Sequence, residues 1–182
     1  MDAILTATLQ VLAVDGAALT TTRVAAVAGV AVGTLYQYFP NRDALLTGVL
    51  ADHLEAAIGA VEGAAAAAKA EGLTRAAAAE RIVRAFLAVK ADRAPDSVLL
   101  DRVFGAGRLD ERPVVAAATR RGTLAVAKLL RDPPDAAALQ RAGMACAALE
   151  GIVRAVLAED PLRLADRGWQ DQVVVMTVAA LR

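Results

Sequence analysis

The side chains best suited to binding another molecule lie in one short segment, residues 32–38. This segment carries a hydroxyl group, two phenols and an amide. Hydroxyl groups can bind phosphate oxygens, and the amide of Gln37 can pair bidentately with adenine. Val32 can contact the methyl group of thymine. Leu35 and Phe39 are four residues apart, so they share the other side of a helix. The segment predicts a helix that packs by one side and presents hydrogen-bonding groups on the other.

The residues around this segment supply the elements that must position it. Thr20 to Thr22 can cap the start of a helix that lies before residues 32–38. Gly29 can end that helix in the left-handed conformation. Pro40 ends the second helix, and Asn41 can cap the next one. Two short helices joined by a tight turn form a helix-turn-helix, whose second helix enters the major groove of DNA.

Residues 2–50 resemble the DNA-binding domain of the TetR family of transcriptional regulators. The family pattern is met by Gly16, Thr21, Thr22, Val24, Ala25, Ala28, Gly29, Val30, Gly33, Thr34, Leu35, Tyr36, Tyr38, Phe39, Arg42, Asp43, Leu45 and Leu46. The positions that the resemblance assigns to DNA are Thr21, Thr22, Val32, Gly33, Thr34, Tyr36, Gln37, Tyr38 and Arg42. For both tyrosines, packing within the domain is the alternative.

The charge of this segment is unusual for a DNA-binding module. Residues 1–50 hold two arginines, Arg23 and Arg42, against three aspartates, a formal charge of −1. Because phosphate neutralisation supplies most non-specific affinity, we expect a shallow salt dependence and contacts from helix N-termini and hydroxyl groups. Family members often carry a basic arm before the first helix, and we expect that arm to be absent or to have been removed here. An alternative function follows: a dimeric protein that acts through protein contacts without DNA.

The chain as a whole predicts an all-α protein of about nine helices. It has 182 residues, a formal net charge of zero and 57% hydrophobic residues, and strand-like alternation is nowhere sustained. We divide it into a helix-turn-helix DNA-binding domain of three helices, 1–46, and a helical domain for effector binding and dimerisation, 47–182. Gly105 and Gly107 are expected to form a flexible joint.

The last two predicted helices, 135–159 and 163–181, carry an apolar excess that would leave a patch exposed on a monomer. We therefore expect a twofold dimer built through a four-helix bundle, which the resemblance also implies. The expected interface residues are Leu139, Gly143, Ala147, Gly151, Val173 and Met176. Two recognition helices would then enter major grooves about 34 Å apart on double-stranded DNA, so the operator should be palindromic.

The resemblance also implies a small-molecule effector in the second domain, which shifts the long connecting helix and separates the two DNA-binding domains. With aromatic residues at only 3%, we expect a modest, largely apolar pocket and an unidentified small apolar effector. The candidate pocket residues are His53, Phe86, Leu100, Phe104, Met144 and Trp169. Ordinary core packing is the alternative for the two phenylalanines. The alternatives are bracing of the last helix or of the dimer edge for Trp169, and an exposed or structurally satisfied side chain for His53.

The chain has few residues of the types that usually carry out catalysis. His53 and Cys146 are the only histidine and cysteine, and the sequence has no Gly-rich phosphate loop, metal-ligand pair or serine elbow. We predict no catalytic residue, metal or cofactor, so an enzyme is the least favoured alternative. A leader and a membrane-spanning run are not expected either, which favours the cytoplasm. The sequence predicts a dimeric DNA-binding regulator, a repressor released by an effector.

Overall fold

The computed structural model describes residues 1–104 and 112–181. Within them the chain forms nine α-helices: α1 (Asp2–Asp15), α2 (Thr21–Ala28), α3 (Val32–Tyr38), α4 (Arg42–Ala70), α5 (Arg75–Asp92), α6 (Ala94–Phe104), α7 (Pro113–Leu130), α8 (Ala136–Glu159) and α9 (Arg167–Ala180). Short 3₁₀ turns lie at Gly16–Ala18 and Pro161–Ala165. The predicted all-α fold is confirmed. The predicted joint at Gly105 and Gly107 lies outside the described residues.

Side-chain caps define where several helices begin. A Thr or Asp oxygen accepts the backbone N–H three residues later, and each such cap contributes about 1 kcal/mol. The caps of this kind are Thr20 to Arg23 at 3.2 Å, Thr74 to Ala77 at 3.3 Å, Asp135 to Ala138 at 2.8 Å and Asp166 to Trp169 at 2.6 Å. Asn41 accepts from Ala44 at 2.8 Å, as its position before α4 predicted.

The chain divides into two compact units. The first unit comprises Met1–His53 and Asp96–Val115, and the second comprises Leu54–Pro95 and Ala116–Arg182. The sequence-based division at residue 46 differs from this one, because the first unit also takes the following residues of α4 and part of α6. Val103 and Phe104 of α6 pack against the core of the first unit, which explains their place in it.

The core of the first unit joins α1, α2, α3 and the start of α4. Its members are Ile4, Ala7, Val11, Leu12, Leu19, Val24, Ala25, Leu35, Phe39, Leu45 and Leu46. Thr8 is fully buried among them, and its hydroxyl donates to the Ile4 carbonyl at 2.7 Å. The bond removes the cost of burying an unsatisfied hydroxyl group.

Gly48 on α4 makes room for the Phe39 ring. We expect Gly48→Ala to destabilise the first unit by about 1–3 kcal/mol, the usual cost of overpacking. The reason is that an added Cβ would lie 2.5 Å from Phe39 Cε1, so the ring would have to move. Thermal unfolding followed by circular dichroism measures the effect. Gly59→Ala is the control, because a Cβ at this position of α4 meets nothing within 4 Å. Equal melting temperatures for the two variants would show that the Phe39 contact is unimportant.

The second unit has its own core, formed by α5, α7, α8, α9 and the later part of α4. Its largest members include Phe86 and Trp169, which are 5% and 9% exposed. Arg121 of α7 also binds two carboxylates of α4, Glu55 at 2.6 Å and Glu62 at 2.7 Å. The hydrogen bond from Arg121 lowers the pKa of Glu55. These ion pairs hold α7 against α4 within the second unit.

Among the described residues, α4 is the one helix long and apolar enough to cross a membrane by length and composition, which the sequence had not led us to expect. Its buried side chains belong to the protein cores. Leu45 and Leu46 pack in the first unit, and Ala57 and Val61 pack in the second. These contacts are those of a core helix, which passes the same test of length and composition.

Candidate nucleic-acid interface

The turn between α2 and α3 fixes the recognition helix. Gly29 has a φ of +68°, the left-handed conformation that favours glycine. The N–H of Gly29 donates to the Ala26 carbonyl at 3.3 Å, and that of Val30 donates to the Ala25 carbonyl at 3.0 Å. Leu35 of α3 is completely buried in the first unit's core. The buried side of α3 is therefore anchored, as predicted for residues 32–38.

The opposite side of α3 presents its side chains to solvent. Val32, Tyr36 and Tyr38 are 37%, 46% and 55% exposed. Exposed residues of the same helix are Gly33, Thr34 and Gln37. Contiguous exposed apolar surface marks interaction sites on soluble proteins. The six predicted α3 positions are thus accessible together.

One hydrogen bond links the two helices at this face. The Thr21 hydroxyl and the Tyr36 hydroxyl lie 2.9 Å apart, and either one can be the donor. The bond orients the Tyr36 phenol from α2 while its ring stays exposed. Because a hydroxyl has one donor and two acceptor sites, the pair retains sites for a phosphate. Thr22 is exposed beside it.

The two arginines of residues 1–50 contact their own chain. Arg42 donates from Nε to the Leu19 carbonyl and from Nη2 to the Ala17 carbonyl, both at 3.2 Å. Arg23 lies 3.7 Å from the Asp15 carboxylate. Arg42 therefore braces the start of α4 against the segment before α2. Its remaining guanidinium donors leave the predicted contact with the DNA backbone open.

The comparison with known families decides the identity of this arrangement. Residues 4–49, which contain the helix-turn-helix, match the model of the bacterial regulatory proteins of the tetR family. These residues therefore form a DNA-binding domain of the TetR type. The proteins of that family are transcription regulators, which supports a DNA-binding regulator. A search of the curated proteins finds no match to the sequence.

Two solved structures show the TetR fold over nearly the whole chain. A protein from Shewanella sp. PV-4, solved as a tetR family transcription regulator, is 19% identical, with 98% of this chain and 96% of that chain covered and a TM-score of 0.64. The fatty acid degradation regulator FadR from Bacillus halodurans is also 19% identical, with 100% and 99% covered and a TM-score of 0.68. At this identity the likeness establishes the fold.

The charge of the TetR domain leads to a prediction about salt. We expect the logarithm of DNA affinity to fall with the logarithm of salt concentration with a slope of magnitude below about 4, against about 5–9 for six to ten phosphate contacts. Arg23 and Arg42 contact their own chain, and residues 1–50 are formally negative. Fluorescence anisotropy of a labelled duplex between 50 and 300 mM KCl, roughly the range where such slopes are linear, gives the value. A slope of about 8 or steeper would show that other cations neutralise the phosphates.

The second unit contains an apolar cavity of about 50 Å³, which is a structural candidate for an effector site. Its lining residues are Ile58, Val61, Ala79, Ile82, Val83, Phe86, Thr119, Gly122, Thr123, Val126, Leu129, Ala145, Cys146, Leu149, Glu150, Thr177 and Leu181. Of the six residues predicted for the pocket, Phe86 lies in this lining. Phe86 is also part of the core, which is the alternative considered for it, and its contact with a ligand stays a prediction.

The other five predicted pocket residues lie elsewhere. Leu100 and Trp169 are buried in packing, at 1% and 9% exposure, and Met144 is 66% exposed on α8. Phe104 packs in the first unit. His53 is buried, with Nε2 3.0 Å from the Ser97 hydroxyl. These five residues lie outside this cavity, because a sequence gives the side chain's chemistry but not the direction in which it points.

The predicted dimer residues divide in the same way. Leu139 and Met176 are 40% and 43% exposed. Ala147 and Gly151 are also exposed, and Gly143 is half-buried. Val173 is only 5% exposed and lies in the core of the second unit, so it is not part of the predicted dimer surface. Val175, two residues further along α9, is 70% exposed instead, because residues two apart on a helix point to nearly opposite sides.

Arg112 is a residue that the sequence did not single out. Its guanidinium donates to the Thr47 hydroxyl at 2.8 Å and to the Asp43 carboxylate at 2.9 Å. It also lies 4.0 Å from the centre of the Phe104 ring. Arg112 thus binds the start of α4 within the first unit. No local sequence motif predicts this role, because the two hydrogen-bond partners of Arg112 are 65 and 69 residues away along the chain.

Proposed function

We propose that this protein is a dimeric, sequence-specific repressor of the TetR family that leaves a palindromic operator when a small apolar effector binds. The observation that carries the proposal is the exposed face of α3, held in place by the buried Leu35. A helix of this kind fits the major groove, which is about 12 Å wide. Within the described part of the first unit, no other role is assigned to these exposed apolar side chains of α3.

The residues of this face take distinct roles in the proposal. Gln37 pairs with adenine and Val32 contacts a thymine methyl group. Gly33 lets the helix approach the bases closely. The residues that bind phosphates or sugars are Thr21, Thr22, Thr34, Tyr36, Tyr38 and Arg42. The paired hydroxyls of Thr21 and Tyr36, 2.9 Å apart, support a shared phosphate contact.

Dimerisation is proposed through α8 and α9. Their outward faces expose Leu139, Met144, Val175 and Met176, with small residues between them. Such a patch on an isolated chain favours burial, and a twofold axis pairs it with an identical patch. Two copies of α3 then bind half-sites about one helical turn apart, which requires a palindrome.

The cavity of the second unit supports regulation by an effector. Ile58 and Val61 of α4 form part of its wall, and α4 begins at Arg42, next to the recognition helix. A ligand that favours one arrangement of α4 by a few kcal/mol would shift the population between DNA-binding and released states. The cytoplasm is the compartment in which we place such a regulator.

Selection of duplexes from a random library at low salt tests the DNA-binding part of the proposal. We expect enrichment of one palindromic sequence. A reporter gene with that sequence placed over its promoter should then be less active when the protein is present, which tests repression. Lack of enrichment at any salt concentration would refute the proposal. It would favour the alternative that the negative charge of residues 1–50 suggests, a dimer acting through protein contacts.

A further inference from the structure

We infer that the cavity of the second unit binds an uncharged aliphatic alcohol and discriminates against the corresponding carboxylic acid. The inference rests on the proposed effector response and names the chemical class of the effector. It depends on the size of the cavity, on the polar groups of its lining and on the sign of the charge there.

The size and the lining of the cavity suit a short aliphatic chain. Seventeen residues surround a volume of about 50 Å³. A volume of this size has room for roughly four water-sized groups. Ile82, Val83, Val126 and Leu149 contribute apolar wall surface. An apolar space of this kind stays dry and gains from an apolar occupant.

The polar groups in the lining are largely engaged or neutral. The Thr177 hydroxyl donates to the Val173 carbonyl at 2.8 Å. Thr123 is hydrogen-bonded to the Cys146 thiol. Burial raises the pKa of Cys146 to about 11, with Glu150 adding to the effect, so the thiol stays protonated at neutral pH. These groups add no charge that would attract an ionic ligand.

The charge in the cavity lining has one sign. Among the described lining residues, Glu150 is the only charged side chain, and Lys, Arg and His are not represented. A ligand carboxylate would face a like charge and lose its hydration, which is unfavourable on both counts. Lys90 is a neighbouring cation, 5.5 Å from the centre of the Phe86 ring, and it already interacts with Glu150. A ligand hydroxyl can instead donate a hydrogen bond to the Glu150 carboxylate.

Calorimetric titration of the full chain with 1-propanol and with propanoate tests the inference without DNA. We expect the alcohol to bind at least tenfold more tightly than the acid of the same chain length. Glu150→Gln should raise the affinity for propanoate at least fivefold and change that for 1-propanol less than threefold. Glu159→Gln, at an exposed position of the same helix, is the matched control and should leave the ratio unchanged.

Three outcomes would overturn the inference: equal binding of alcohol and acid, an unchanged ratio in Glu150→Gln, or binding of neither compound. The duplex selection stands apart from these titrations. Preferential binding of propanoate together with operator binding would refute the inference about the alcohol and leave the proposed repressor function standing. Preferential binding of 1-propanol without any operator would refute the repressor function and leave the assignment of the cavity standing.

Discussion

Tyr36→Ala is expected to weaken binding to the palindromic operator about 100-fold, with little change in melting temperature. Removing one recognition contact costs about 1–3 kcal/mol, and a dimer loses the contact twice, while each 1.4 kcal/mol is a factor of about ten. Tyr36 is 46% exposed and its hydroxyl contacts Thr21, so its ring contributes little to the core. Competition titration of a labelled duplex measures the affinity.

Companion variants separate specific from general effects. Tyr36→Phe keeps the ring and loses only the hydroxyl, so we expect an intermediate loss. Gln37→Ala should relax the preference at one base pair of each half-site. Gln10→Ala, exposed on α1 outside the helix-turn-helix, is the control. If Tyr36→Ala binds within threefold of the original protein, α3 is not the recognition helix.

The helix-turn-helix could be predicted from the sequence because its determinants are local. Gly29 sits one residue beyond α2 and needs a positive φ, and Leu35 and Phe39 are both buried on the side predicted by their spacing. Thr20 supplies the cap before α2. Each of these features involves residues within a few positions of one another, so the local amino-acid sequence is enough to predict them.

The effector site could not be predicted in the same way, because it is formed by residues distant in sequence. Phe86 was found, since any large apolar residue of α5 is a candidate for an internal wall. The cavity also depends on Gly122, where an added Cβ would lie 3.2 Å from Ile58 Cδ1 across α7 and α4. His53 looked available for a ligand but is buried beside Ser97. The periodicity of a helix predicts which residues share one side of it. Tertiary packing decides which other element each side contacts.

The outward face of α8 leads to the second large prediction, that Gly151→Glu converts the dimer to a monomer. Gly151 is exposed, and a Cβ there meets nothing within 4 Å of its own chain, so the variant should fold normally. In a twofold interface the change places a carboxylate from each copy in an apolar contact, where an unpaired buried charge costs several kcal/mol.

We expect Gly151→Glu to raise the dimer dissociation constant at least 1000-fold, the effect of roughly 4 kcal/mol, and to abolish binding to the full palindrome. Sedimentation velocity and duplex titration measure the two results. Ala88→Glu, which adds the same charge at an exposed position of α5, should leave both unchanged. A Gly151→Glu protein that remains a dimer would place the interface elsewhere. A monomer that still binds the full palindrome as tightly as the original protein would instead separate dimerisation from DNA recognition, because joint binding of two half-sites is what gives the dimer its affinity.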